Sequence, residues 1–290
     1  KFSKTKVIAL DRDKLCKNRA DILMEKFPGR FNFFREKFSN LNKVIQKKIN
    51  PQAIIFDLGM SSFQLLDKER GFSFDSENFL DMEMGINDRS AYDVINFSDK
   101  KTLSAIIKIL GEEKDAKIIA NKIEKYRNTK KIKTPKELAY IISEAKKKYN
   151  NYKKNPATKT FQAIRIFVNK ETSELIDGIV KATKILKPGG KLIVISFHSV
   201  EDKIVKFYFK NYSKNHSRSN KYLPEKINSL HLFDEYKNKI IRATSKEIKR
   251  NPRSRSAKLR VAIRSANKFN DPEELRNKFK YFTDLEKRIA

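Results

Sequence analysis

The chain has 290 residues, carries 65 Lys and Arg against 35 Asp and Glu, and has a formal net charge of +30. That length suits one large domain or one domain with an insertion, and a 39% hydrophobic share with 21 Phe and 10 Tyr supplies a core. Cys16 is the single cysteine, which excludes an internal disulfide and a thiolate cluster. His198, His216 and His231 lack ligand spacing, so no metal site is expected. No apolar run reaches the roughly 18 residues of a membrane helix. The first residues do not read as a signal peptide, and a soluble cytoplasmic protein is the expectation. A surface this positive repels itself unless a polyanion neutralises it, so nucleic acid is the leading partner.

Lys6–Leu10 (KVIAL) predicts a strand ending in Asp11-Arg12-Asp13, followed by a helix. Phe31–Arg35 predicts a second strand, and Ala53–Phe56 a third that ends in Asp57-Leu58-Gly59. Strands that read as continuous apolar runs and alternate with helices predict a mostly parallel sheet covered on both faces. From about Ser90 the period becomes helical. Thr102–Leu110 and Glu112–Arg127 are separated by Gly111, read as a helix stop. Thr134-Pro135-Lys136-Glu137 is a capped start, with Thr134 at the cap, Pro135 at the first helical position and Glu137 reaching back to the cap amide. The helix it opens turns Leu138, Ile141, Ile142 and Ala145 inward and frays into Lys146–Lys148.

This helical block, residues 90–155, reads as an insertion domain between two parts of an α/β domain, 1–89 and 156–266, with 267–290 as a helical tail. The α/β pattern resumes as one long helix from about Thr160 to Leu186. Lys187-Pro188-Gly189-Gly190 ends it, and Lys191–Phe197 follows as a buried strand. Asn211–Asn228 is polar and basic, expected to be a mobile loop. Ile240–Thr244 and Leu259–Arg264 are expected to form a closing antiparallel pair around Asn251–Ser256, and Asp271-Pro272-Glu273-Glu274 to start the last helix.

Ligands of an open parallel sheet bind at the carboxyl ends of its strands. Asp11 ends the first strand, where a carboxylate can accept hydrogen bonds from both hydroxyls of a ribose; a solvated turn aspartate is the plainer alternative. Asp57 ends the third, and Gly59 then allows tight backbone approach before Ser61 and Ser62; a cleft site and a simple turn both fit. In Ser196-Phe197-His198-Ser199, a lone histidine is more often a structural hydrogen-bonder than a catalyst. The basic segments Arg250–Arg264 and Lys146–Lys159 can hold RNA phosphates or form an ordinary solvated face.

Several strings together go beyond these generic readings. AIIFDLGMSSFQLLDKERGFSF from Ala53, GEEKDAKIIANKI from Gly111, NPATKTFQAIRIFVN from Asn155, LKPGGKLIVISFHSVEDKIVK from Leu186 and NPRSRSAKLRVAIR from Asn251 resemble the bacterial 16S rRNA (cytosine-N4)-methyltransferase family (the RsmH, or MraW, proteins). They run in order over about Val7 to Arg264. The resemblance implies an α/β, class I (Rossmann-like) S-adenosylmethionine-dependent methyltransferase fold with a helical insertion domain. It implies methylation of the exocyclic N4 of a cytidine in the decoding centre of 16S rRNA, with S-adenosyl-L-methionine as cofactor and the small ribosomal subunit as partner. By the same resemblance Asp11 is the ribose-binding acid, Phe38 (in EKFSNL) lies by the adenine, and Asp57 and Gln64 complete the cofactor contacts. Lys159, Arg253, Arg255 and Lys258 are the expected RNA contacts.

There are departures. The family's first strand and glycine-rich GGH loop precede the Asp11 strand and are not within these 290 residues, so weak cofactor binding is expected of this chain. LDMEMG at Leu80 lacks the arginine and second aspartate of LDMRMD, and Lys159 stands where PATRTFQA has arginine.

The implied chemistry fits the inventory. Methyl transfer is an in-line displacement, for which an enzyme mainly supplies position, desolvation and an acceptor for the amine proton. The lone pair of the cytosine amino group is delocalised into the ring, and an acceptor on its N–H localises it. Asp57, Ser61 and Ser62 are the natural acceptors; no cysteine nucleophile is needed, and the target base must leave its stack. The alternative from another class is a non-catalytic rRNA-binding ribosome-assembly factor. A methyltransferase of proteins or small molecules leaves the charge unexplained, and membrane-surface binding would gather that charge on one amphipathic helix.

Overall fold

The computed structural model describes residues 4–45, 49–146, 155–214, 231–234, 236 and 239–288. In chain order it opens with β1 (Val7–Asp11), α1 (Cys16–Lys26), β2 (Phe31–Arg35), α2 (Leu41–Val44), β3 (Ala53–Asp57) and α3 (Ser62–Leu66). A run of helices follows: α4 (Ala91–Phe97), α5 (Lys100–Leu110), α6 (Ala116–Arg127), α7 (Pro135–Ala145), α8 (Thr158–Asn169) and α9 (Glu171–Ile185). Then come β4 (Lys191–Ser196), α10 (Ser199–Asn211), β5 (Ile241–Arg242), α11 (Ser245–Arg250), β6 (Lys258–Ile263), α12 (Glu273–Lys278) and α13 (Lys280–Glu286). They gather into two compact units. A sheet unit draws on Lys1–Asp11, Cys16–Gly59 and Glu174–Phe279, and a helical unit on Arg12–Leu15, Met60–Ser173 and Lys280–Ala290. The helical unit is thus wider than the 90–155 segment read from the change of period.

In the sheet unit β1 pairs with β2 in parallel, and β3 with β4 in parallel. β6 runs antiparallel to both β4 and β5, giving the order β3-β4-β6-β5 beside a separate β1-β2 pair. The single, mostly parallel sheet expected from the apolar runs is therefore corrected to two hydrogen-bonded sheets, the larger with two antiparallel pairings and one parallel. The chain reaches β6 through the short β5 arm, which turns it back along β4. The closing pair expected between 240–244 and 259–264 is present, with Ile241 opposite Leu259. Leu192, Val194 and Ser196 of β4 are buried, a period-2 alternation toward the core. Of the polar stretch 211–228, Asn211 ends α10, and residues 215–228 lie outside the described residues.

The helical unit follows from helix physics. Leu103, Ile106, Ile107 and Leu110 of α5, Ile119 and Ile123 of α6, and Leu138, Ile141 and Ile142 of α7 are all buried. Their spacing of three and four residues places each set on one face, and each full burial is worth about 1.5–3 kcal/mol. Among the described residues no strand falls within 102–146. Thr134 and Glu137 form the reciprocal capping box, with Pro135 at the first helical position.

One local expectation holds with a different cause, and two are corrected. Gly111 ends α5, but its own backbone is right-handed; a Cβ at this position would come 2.5 Å from the Lys159 carbonyl, and the left-handed residue is the following Glu112. Close approach, not turn geometry, calls for glycine there. Of the stretch Lys146–Lys148 expected to fray, Lys146 ends α7, is buried and bonds to Glu113 at 2.7 Å, while residues 147 and 148 lie outside the described residues. The single helix expected from Thr160 to Leu186 is two, broken at Lys170 with φ 50°.

The break at Lys170 has a cause in side chains distant in sequence. The Asn169 amide nitrogen donates to the carbonyls of Met82 and Arg165, and its oxygen accepts from the Met84 amide and the Asn87 side chain. Asn169 thus fixes the LDMEMG turn, in which Met82 and Gly85 have positive φ, as does Ile86 just after it, and Leu80, Met82 and Met84 are buried. Arg12 grips the same turn, donating to the carbonyls of Gly85 and Ile86 and to Asn87.

Candidate active site

β3 and β4 end side by side. Asp57 is in register with Ile195, and the Leu58 amide donates to the Ile195 carbonyl at 3.0 Å. The pairing brings Asp57-Leu58-Gly59 against Ser196-Phe197-His198. Gly59 takes φ 84°, and a Cβ built on it would meet the Phe197 ring at 3.6 Å, so the left-handed backbone more than crowding demands glycine. His198 caps α10, its Nδ1 accepting from the Glu201 amide, and its Nε2 lies 3.1 Å from Glu201 Oε1. Glu201 in turn accepts from the Phe197 amide at 2.9 Å. The histidine of the SFHS string therefore shapes a helix start. Buried Glu201, which sequence reading did not single out, is the second carboxylate of this corner.

Asp57 is open to solvent on one side yet set among enough protein to be partly desolvated. That desolvation and then the charge of Glu201 raise its pKa above the ordinary carboxylate value. A carboxylate made more basic at the end of a parallel strand is suited to accept a proton.

The other expected residues sit as follows. Asp11 closes β1 in register with Arg35, its carbonyl accepting from the Glu36 amide. Its own side chain lies at an exposed position. Phe38, half-buried in the turn after β2, meets Phe56 edge-on at 5.3 Å, and it fills the space where Gly178 lacks a side chain. In the helical unit Ser61 and Gln64 form the capping box of α3. Gln64 is buried, with its oxygen on the Ser61 amide and its nitrogen donating to Asp13 at 2.7 Å. Asp13 also accepts from Arg70 and from the Leu15 amide. Desolvation of Asp13 is outweighed by those hydrogen bonds, which hold its pKa below the ordinary value. Of this Asp13-Gln64-Arg70 cluster sequence reading singled out Gln64 alone; the DRD end of β1 and the arginine of RGFSF were the further signals.

The basic segments sort into two kinds. Arg253 and Arg255 are exposed on the short turn between α11 and β6. Lys258 bonds to Asp202 at 2.9 Å, and the fully buried Arg260 bonds to the same carboxylate at 2.7 Å and to Tyr236. Arg264 is buried too, donating to the carbonyls of Thr183, Leu232 and Asn267. Lys159 is exposed, with its ammonium 2.9 Å from the Glu112 carbonyl. Half the positive charge of Arg250–Arg264 thus serves the interior. No described helix is long and apolar enough to cross a membrane.

The fold is mixed α/β, and Asp57 and Ser196-Phe197-His198 stand at the carboxyl ends of its parallel strands β3 and β4. The chain belongs to the MraW methylase family, whose model matches residues 1–265, and is thereby a methyltransferase. It is 43% identical over 260 residues to the Bartonella grahamii protein named ribosomal RNA small subunit methyltransferase H, covering 89% of this chain and 77% of that one. Proteins of the same name from Ehrlichia canis and Afipia carboxidovorans are 42% and 40% identical, over 89% and 92% of this chain and 86% and 80% of theirs.

Proposed function

We propose that the chain methylates the exocyclic N4 of a cytidine in the decoding centre of 16S rRNA, using S-adenosyl-L-methionine as donor. The observation that carries this reading is Asp57: a carboxylate of raised pKa, at the carboxyl end of β3, in a methylase. The names of the relatives support small-subunit rRNA as substrate, and the net charge of +30 supports a polyanion.

The residues present suit the donor. Asp11 offers a carboxylate for a ribose diol, Phe38 an aromatic edge beside Phe56 for a purine, and Asp57 a negative charge for an amino or sulfonium group. When bound, S-adenosylmethionine supplies a methyl group on a positively charged sulfur. Everything else falls to the chain. Asp57 accepts the N–H of the target amine, which localises the nitrogen lone pair, and it then takes the proton. The Ser61 hydroxyl already accepts from the Gln64 amide. Gln64 acts by positioning: its two hydrogen-bonding ends hold the Ser61 amide to Asp13. Arg253 and Arg255 bind phosphates of the RNA, with Lys159 beside its own carbonyl partner as a further contact.

Nucleoside mass spectrometry of 16S rRNA from cells with and without the gene tests the reading. Loss of one N4-methylated cytidine, restored by the wild-type gene and not by Asp57→Asn, is the expected result. An unchanged modification pattern would remove rRNA methylation from this chain.

A further inference from the structure

Beyond the strand-end site, the helical unit exposes a row of aromatic rings. Phe79 is 51% and Phe97 55% exposed, and half-buried Tyr92 lies between them with ring centroids 5.2 Å and 6.0 Å away. Large exposed aromatics clustered together are uncommon without a ligand. The Lys131 ammonium stands 4.7 Å from the centroid of the Phe97 ring. Lys131 belongs to the run Lys130-Lys131-Ile132-Lys133-Thr134-Pro135-Lys136, in which Lys130 pairs with Glu137 and Lys136 with Glu77.

The row is held at the surface by a frame of backbone bonds. Asn96 of α4 bonds both the amide and the carbonyl of Ile132, so the lysine run is fixed beside Phe97. The Leu80 amide donates to the Lys133 carbonyl, and the Leu80 carbonyl accepts from the Tyr92 amide, so Phe79 is fixed to both. Arg127 holds the carboxyl end of α4 through the carbonyls of Ile95 and Ser98. Rings fixed in place at the surface lose little entropy on binding.

We propose that Phe79, Tyr92 and Phe97 form a stacking platform for unpaired RNA nucleotides, with Lys131 and Lys133 on the adjoining phosphates. This rests on the reading that the substrate is RNA, and it assigns a second, sequence-tolerant contact to the helical unit. Any base has a face to stack, and aromatic rings bordered by lysines are the means by which single strands are held without sequence readout. Lys131 gives way readily, because an exposed cation–π pair is worth only about 0.5–1 kcal/mol. Its ammonium then moves from the ring to a phosphate.

The chain contains no tryptophan, so Phe97→Trp places one fluorophore on the platform. Saturable quenching by single-stranded oligocytidine, with little quenching by a duplex of equal length, is expected. Phe97→Ala and Phe97→Leu should each weaken single-strand binding about five- to a hundred-fold, the range for loss of one stacked base. Equal quenching by duplex and single strand, full affinity in the leucine variant, or concentration-dependent quenching without RNA (a contact between copies) would each overturn the platform. Cells carrying Phe97→Leu distinguish the two readings. An intact rRNA modification in those cells, with no response of the Phe97→Trp fluorophore to RNA in vitro, sinks the platform alone. Absence of the modification with the wild-type gene sinks the rRNA reading.

Discussion

Glu201 repels Asp57, and the repulsion adds to desolvation in raising the Asp57 pKa. The same Glu201 accepts the Phe197 amide and closes the cap of α10 with His198. One buried carboxylate therefore shapes the end of β4 and adds to the basicity that desolvation gives the residue that ends β3.

A pH dependence follows from that pairing. The proton-accepting form of Asp57 is the ionised one, so methylation rises as pH increases through its raised pKa. Glu201→Gln keeps an acceptor for the Phe197 amide and removes the charge, so the acid limb of the rate profile moves to lower pH. Asp57→Asn should lower the rate on the order of a hundred-fold or more, the usual worth of a general base. A limb that does not move in Glu201→Gln would separate Asp57 from the proton transfer.

Stability should be most sensitive at Asp202. Its carboxylate holds Lys258 and the fully buried Arg260; desolvation is outweighed by these partners, which keep its pKa below the ordinary value. Among the described residues Asp202→Ala leaves the buried Arg260 with Tyr236 alone as a hydrogen-bond partner, an uncompensated charge that costs about 3–5 kcal/mol. The contribution of Asp202 is present above its unfolded pKa and is lost as pH falls through the lower folded one. Urea unfolding of the variant near neutral pH reads the loss directly; a cost under about 1 kcal/mol would mean that water reaches Arg260.

What the sequence can disclose follows the range of the forces involved. The Thr134-Pro135 helix start, the apolar faces of α5 to α7 and the strands β1 to β4 are local patterns, and they are legible. The break at Lys170 is not, because helix propensity runs through it and the cause lies in Asn169 bonds to Met82 and Met84. Lys146 and Lys258 look like surface charge because their partners, Glu113 and Asp202, are far off in sequence. Asp57 is marked by its place at a strand end. Glu201 is hidden inside a capping pattern, and its effect on Asp57 needs the β3–β4 register.

Electrostatic contact with RNA should divide along the same line. Arg253 and Arg255 are exposed, so replacing both with Ala should weaken binding to small-subunit rRNA. The slope of log affinity against log salt should fall by roughly 0.7–0.9 for each phosphate no longer neutralised. Lys258→Ala is expected to lower the melting temperature through Asp202 more than it changes that slope. Filter binding across a salt series, with thermal unfolding alongside, measures both; an unchanged slope in the double variant moves the RNA path elsewhere.

Glu286 gives the last prediction. It sits near the end of α13, buried, and accepts hydrogen bonds from the Thr172 and Ser173 amides at the start of α9 and from the Ser173 hydroxyl. Burial outweighs those bonds, which favour the ionised form, and pushes the pKa up to about 7, from 4.5 for the free side chain. The folded protein therefore holds a proton here that the unfolded chain has released. The stability this group contributes is full below about pH 4.5 and is lost as pH rises through about 7, by up to about 3 kcal/mol. Glu286→Gln cannot titrate and should resemble the protonated wild type. The difference in unfolding free energy between wild type and variant should thus shift in the variant's favour from pH 5 to pH 8. Urea titrations of both proteins at those two values measure it, with all other titrating groups cancelling in the difference. Parallel pH profiles would show that the helix amides keep Glu286 ionised throughout, and that α13 is held by a charge and not by a neutral acid.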